Sequence, residues 1–206
     1  MGKIASNPLE GIKHLYSNTR AEIIWADADI AQLKEHTNDE AGSAVDLAAH
    51  TGLRVADLVR LSWSNIGQDD IVISAGKSKH RKEAVIPRYD VLNELLERIP
   101  RRSPVMLTTS RKNATPWTKD GLASSFWTAK DKAGLLERDL HFHDLRGTAA
   151  TKFYIAGLSI RVIAEIMAWK EEQVEKIIRR YVSRGAATRE AIRLINEARL
   201  NERIDR

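Results

Sequence analysis

The 206-residue sequence predicts a mainly α, α+β domain: a helical body carrying one small antiparallel three-stranded sheet. Three observations carry that expectation. Apolar residues recur at helical spacing through most of the chain, and the last third is almost wholly of this kind. Two short β-rich runs, Ile71-Val72-Ile73 and Ala84-Val85-Ile86, flank a polar stretch over 76–83, which is the pattern of an antiparallel hairpin. A further strand candidate, Val105-Met106-Leu107, stands between two helical stretches.

Taken in order, residues 1–20 carry Pro8, Gly11 and scattered polar residues, and read as a linker or N-terminal arm. Asp27 or Asp29 is positioned to cap a helix running to about residue 36. Asn38-Asp39-Glu40 opens another through Val45, Leu47 and Ala48, and Thr51-Gly52 ends it. A further helix starts near Val55 with Leu58, Val59 and Leu61 on its apolar side. Pro87 closes the second strand, and a helix follows over 90–98. Thr118 opens a helix to residue 132 that places Leu122, Ser125, Phe126 and Ala129 on one face. Helices are predicted over 144–156, 159–168, 171–182 and 187–203. Trp25, Trp63, Trp117 and Trp127 read as core.

A hydrophobic fraction of 43% and a charged fraction of 30% belong to a soluble globular protein. Lys and Arg (33) outnumber Asp and Glu (28), and the net charge of +5 suits a polyanionic partner without identifying one. Basic residues crowd into 77–82, into Arg98, Arg101 and Arg102, and into 176–184. The absence of cysteine excludes disulfides, thiolate metal sites and a Cys nucleophile. No P-loop, zinc-ligand spacing or acidic cluster for paired magnesium ions is present. No window approaches the roughly 18 apolar residues of a membrane span, so a soluble intracellular protein without membrane contact is expected.

Four segments carry candidate chemistry: Thr51-Gly52-Leu53-Arg54-Val55-Ala56-Asp57-Leu58, the Lys-rich hairpin turn, His141-Phe142-His143-Asp144-Leu145-Arg146, and Ala168-Trp169 followed twelve positions on by Tyr181. Each is weak alone. A lone Arg54 reads equally as a surface arginine at a helix start, an isolated His-x-x-Arg is a common surface pair, and a Trp at a helix end is usually core. In this order and on these elements, they resemble the Arg, Lys, His-x-x-Arg, His/Trp and Tyr set of the tyrosine recombinases of the phage-integrase class. The resemblance covers roughly residues 20–184.

The resemblance implies the tyrosine recombinase (DNA breaking-rejoining enzyme) fold, with a catalytic domain over 21–183 and a C-terminal helical tail over 184–206. It also implies a reaction: Tyr181 attacks a scissile phosphate in double-stranded DNA, giving a 3′-phosphotyrosyl link and a free 5′-hydroxyl, and religation or strand exchange reverses the step. Neither metal nor ATP is required, so no cofactor is expected. Such a pentavalent, charged centre needs fixed cations, and Arg54 and Arg146 are the candidates because a guanidinium fork binds two oxygens and stays charged. Asp57 and Asp144 either orient these arginines or act as caps. His143 serves as acid or base, with His141 taking a smaller share. Trp169 donates its ring N–H to the phosphate while packing against the core.

A hairpin lysine would protonate the departing 5′ oxygen. Counting forward from the first strand points to Lys77, and counting back from Pro87 points to Lys79. Lys77 is preferred, since a turn lengthens more easily than a strand slips register. Lys79, Arg81, Lys82, Arg179 and Arg180 are expected to grip DNA. The tail, with Ala191, Leu194, Ile195 and Ala198 in one stripe, suits packing on a neighbouring protomer in a DNA-bound tetramer, or the chain's own core. Only about twenty residues precede the catalytic region, where relatives usually carry a second DNA-binding domain, so weak binding by this chain alone is expected. A cytoplasmic, nucleoid-associated protein of a bacterium or phage is implied. Two other readings stay open: a type IB topoisomerase-like nicking and closing activity, and a DNA-binding remnant without turnover.

Overall fold

Three helices of this chain begin where a short polar side chain takes a free backbone N–H, and two of these end where the backbone turns left-handed. The computed structural model describes residues 23–74, 83–109 and 113–181. Helix α1 spans Asp27–Lys34, α2 Asp39–Thr51 and α3 Val55–Leu58. Strands β1 (Asp70–Ser74) and β2 (Glu83–Pro87) follow, then α4 (Asp90–Arg98), α5 (Lys119–Lys132), α6 (Leu145–Ile155), α7 (Ile160–Met167) and α8 (Glu171–Tyr181). The Asn38, Thr118 and Ser159 side chains accept the backbone N–H three residues on at the starts of α2, α5 and α7. The lysine-rich turn and the helix expected over 187–203 lie outside the described residues.

Helix α2 is the axis. Ala41, Ala44, Val45, Leu47, Ala48 and Ala49 are all buried, which leaves it little polar surface. It packs along α6, where Leu145, Ala149 and Ala150 are buried in turn, and it also touches α1 and α4. Small side chains on both helices allow close approach, and a large residue on either would push them apart. Helices α7 and α8 pack on each other and both reach α6, while α7 also lies against β2. The starts of α3 and α6 and the end of α7 are thereby fixed in one frame.

Three expectations are corrected. The 105–107 run is not a strand of the sheet, which has two strands among the described residues, in the register Asp70↔Pro87 to Ser74↔Glu83. Val105 instead makes one antiparallel bridge with Ser62, and the Met106 N–H donates to Leu61 O at 2.8 Å. Met106 and Leu107 are both 1% exposed, and consecutive buried residues cannot sit on a strand with one solvated face. Neither Asp27 nor Asp29 caps α1, which starts after Ala26 without a side-chain cap. Asp29 is drawn into a bidentate pair with Arg138, at 2.9 and 3.0 Å. Of the four tryptophans expected in the core, Trp25 is there at 2% exposure, Trp63 and Trp117 are half-buried, and Trp127 is 45% exposed because Phe126 takes the inward position of α5. No helix of the described residues is long and apolar enough to cross a membrane.

Gly52 ends α2 at φ +64°, and an added Cβ would fall 2.3 Å from Met167 Cε and 3.4 Å from Ala149 Cβ. Gly134 has a similar φ of +66° but open space around it. Both Gly52→Ala and Gly134→Ala should lose about 1–2 kcal/mol from left-handed strain, and Gly52→Ala more because Met167 must also move. Urea denaturation midpoints of the two variants measure the difference.

Candidate active site

Arg54 is placed by what comes just before it. The left-handed Gly52 turns the chain out of α2, and Leu53, 4% exposed, pins the connection into the core. Arg54 then enters α3 as an extended N-terminal residue, φ −71° and ψ 151°, with its side chain 31% exposed. Three residues on, Asp57 is buried at 2%, with Oδ2 4.0 Å from Arg54 Nη1. Its Oδ1 accepts from Arg60 Nη2 at 2.7 Å.

The opposite wall comes from the turn Phe142–Asp144 that leads into α6. The buried Asp144 carboxylate accepts the His141 N–H at 2.7 Å, so Asp144 serves as a cap. Phe142 packs edge-on to Phe126 at 5.4 Å between ring centroids, and Phe126 packs on Trp25 at 5.9 Å. Trp25 in turn donates its ring N–H to His141 O at 2.9 Å and its backbone N–H to Thr148 Oγ1 at 2.8 Å. Anchors on both sides of it therefore present the exposed His143 to solvent. His141 faces elsewhere, edge-on to Trp127 and 3.5 Å from Asp139.

Arg146 sits in the first turn of α6, three residues after His143, and is 3% exposed. Among the described residues its buried Nη2 has no hydrogen-bond partner. An unpaired buried donor costs about 1–3 kcal/mol, and a charged one more, unless something negative meets it. Burial first, and then the Arg54 charge, push its pKa down from 12.5 to about 9, while Asp57 acts the other way. It therefore remains a cation at neutral pH.

Trp169 supplies the floor beneath that cation. Helix α7 ends at Ala168 in a left-handed conformation, φ 51° and ψ 44°, which is costly for a residue with a Cβ. The Trp169 N–H then donates back to Ala164 O at 2.8 Å. The Arg146 Cζ lies over the Trp169 ring at 4.7 Å, a cation–π contact. Trp169 also lines a neighbouring cleft beside Val85 and Glu171.

Arg54, Asp57, Arg60, Lys119, His143 and Arg146 line one cleft of about 480 Å³. Three of the expected residues meet there, and Trp169 reaches it through Arg146. Arg60 and Lys119 were missed because no motif connects them to the others. Lys119 did leave a signal: it is the first residue of α5, where a cation opposes the helix dipole. Tyr181 closes α8, which is held against α6 and α7 by the buried Val174, Ile177 and Ile178. Arg180 precedes it in that helix, and Arg179 is exposed and paired with Glu175 at 2.6 Å. Lys77, Lys79, Arg81 and Lys82 lie outside the described residues. Among the described residues no group of three or more His, Cys, Asp or Glu is placed to hold a metal ion.

Residues 25–186 match the phage integrase family. A tyrosine recombinase of Thermosipho africanus (strain TCF52B) is 25% identical over 178 residues, covering 81% of this chain and 60% of that protein. The integrase of Escherichia phage HK022 is 28% identical over 160 residues, covering 72% of this chain and 44% of its own length. The chain thus spans about half the length of the curated relatives it matches. Among solved structures, a lambda integrase dimer bound to a COC′ core site matches with a TM-score of 0.63 at 19% identity, over 78% of this chain and 50% of that one. The lambda integrase catalytic core matches with a TM-score of 0.59 at 22% identity, over 70% of this chain and 90% of that one. These likenesses establish the fold, and the match over residues 25–186 establishes that the chain belongs to the phage integrase family.

Proposed function

We propose that residues 21–183 form the catalytic domain of a site-specific DNA recombinase, which cuts and rejoins a strand through a covalent bond to Tyr181. The observation that carries this reading is Arg146: a buried guanidinium with an unpaired nitrogen, beside Arg54 in a cleft that also holds His143. Such a site is incomplete without an anion, and a phosphodiester in DNA is the anion that the family relation and the net positive charge favour.

The step balances without an outside reagent. The Tyr181 Oη–phosphorus bond forms as the phosphorus–O5′ bond breaks. His143 takes the phenol proton, and a hairpin lysine, Lys77 in preference to Lys79, delivers a proton to O5′. Arg54 and Arg146 hold the non-bridging oxygens throughout, and Trp169 supports Arg146 from below. The 5′-hydroxyl then attacks the phosphotyrosine and reverses the exchange. Lys119, with Lys79, Arg81, Lys82, Arg179 and Arg180, meets the DNA backbone around the scissile position. The 184–206 tail packs on a neighbouring copy in a tetrameric complex on DNA, in the cytoplasm of the bacterium that hosts the element.

Two measurements test this. Nicked suicide duplexes of randomised sequence, incubated with the chain and denatured in detergent, should leave a covalent protein–DNA adduct with wild type and none with Tyr181→Phe. An adduct formed equally by Tyr181→Phe moves the nucleophile elsewhere. Sulfate should raise the melting temperature of wild type and leave that of Arg146→Met nearly unchanged, while Arg146→Met without sulfate is as stable as wild type or more so. The pH dependence has a definite sign. Below about 9 Arg146 is charged in folded and unfolded chains alike, and above it the folded form discharges first, so the sulfate response shrinks as pH rises past 9.

A further inference from the structure

We propose that Arg60 is a positioning residue, which holds the Asp57 carboxylate off Arg54 and so leaves the Arg54 guanidinium open to a phosphate. The inference rests on the reading of the cleft as a phosphodiester site.

Asp57 poses a problem for that site. It is a carboxylate, 3% exposed in its side chain, on the wall of a cleft meant to bind an anion. Left to itself, a buried carboxylate three residues from Arg54 on a helical turn would close into a bidentate pair and occupy the fork that phosphate needs. The observed separation of 4.0 Å is at the outer limit of an ion pair. The short contact goes to Arg60, at 2.7 Å.

Arg60 is held so that it can do this. Its Nε donates to Ala56 O at 3.1 Å, within α3, and its Nη2 also approaches Ser74 O at 3.5 Å, where β1 ends. The guanidinium is thus set against the backbone of two elements while half of its side chain remains exposed. Its charge matters as well as its position. Arg54, Arg60 and Arg146 line the cleft with Asp57. With Lys119, four cations against this carboxylate leave three positive charges, and loss of Arg60 leaves two. Asp57 also acts on Arg146, so its posture bears on both phosphate ligands.

The rival role for Arg60 is a direct contact with a DNA phosphate, and a double-mutant cycle separates the two. Single-turnover adduct formation is measured on saturating randomised nicked duplexes, using the full chain. Arg60→Met should slow it about tenfold in the wild-type background and change it less than about twofold in an Asp57→Asn background, since the group to be restrained is then neutral. Arg60→Lys should recover most of the loss. The slope of log DNA affinity against log salt should stay the same in Arg60→Met. Equal losses in both backgrounds, or a slope reduced by about one, identify Arg60 as a phosphate contact and overturn the proposal. If Asp57→Asn does not fold, the salt slope and the Lys rescue decide. An adduct from wild type with additive losses refutes Arg60 alone, whereas no adduct from wild type refutes the phosphodiester site and this inference with it.

Discussion

A guanidinium at 3% exposure with one nitrogen unpaired is the constraint on which the rest of this molecule depends. Burying a charge with one donor unsatisfied is costly, so the surroundings must hold Arg146 in place against its own solvation. Helix α6 fixes its backbone, and α2 fixes α6 through a contact built largely of alanines. Trp169 puts a polarisable ring under the cation at 4.7 Å, and the chain accepts left-handed strain at Ala168 to bring that ring there. Positions that cost stability in this way are where a fold meets its ligand.

The same constraint explains the loop geometry around it. Gly52 is glycine because the exit from α2 passes within contact of Met167 and Ala149 while turning left-handed, and that exit aims Arg54 at the cleft. The aromatic group of Trp25, Phe126 and Phe142 underlies the turn that presents His143. Trp25 ties the described start of the chain to that turn through His141 O and to α6 through Thr148 Oγ1. Asp57 makes the cleft electrostatically mixed, and its short contact with Arg60 keeps its charge from cancelling Arg54.

Much of this was legible in the sequence where one residue decides a local outcome. Asn38, Thr118 and Ser159 predicted helix starts, and Gly52 a helix end, because caps depend on backbone groups three residues away at most. Arg54, His143, Arg146 and Trp169 were legible as a set through order and spacing, although no one of them is informative alone. The readings that failed needed tertiary knowledge. Asp29 is claimed by Arg138, 109 positions away, and Met106 bonds to the segment leaving α3. Trp127 looked like core because size alone does not say which of two adjacent aromatics faces inward. Arg60 was invisible for the same reason, and Lys119 showed only as a cation at a helix start: they come together only once α3, α5 and α6 meet.

The central claim is that Arg146 acts by neutralising charge on a phosphate, and the most direct measurement replaces that charge rather than the protein. Duplexes carrying a neutral methylphosphonate at the cleaved linkage are compared with ordinary phosphodiesters, for wild type and Arg146→Ala. Arg146→Ala should form almost no adduct on the phosphodiester and regain a rate within about tenfold of wild type on the methylphosphonate, because the oxygen that needed the cation is gone. A variant equally inactive on both would mean that Arg146 does not act through phosphate charge, and the account built on its burial would be wrong.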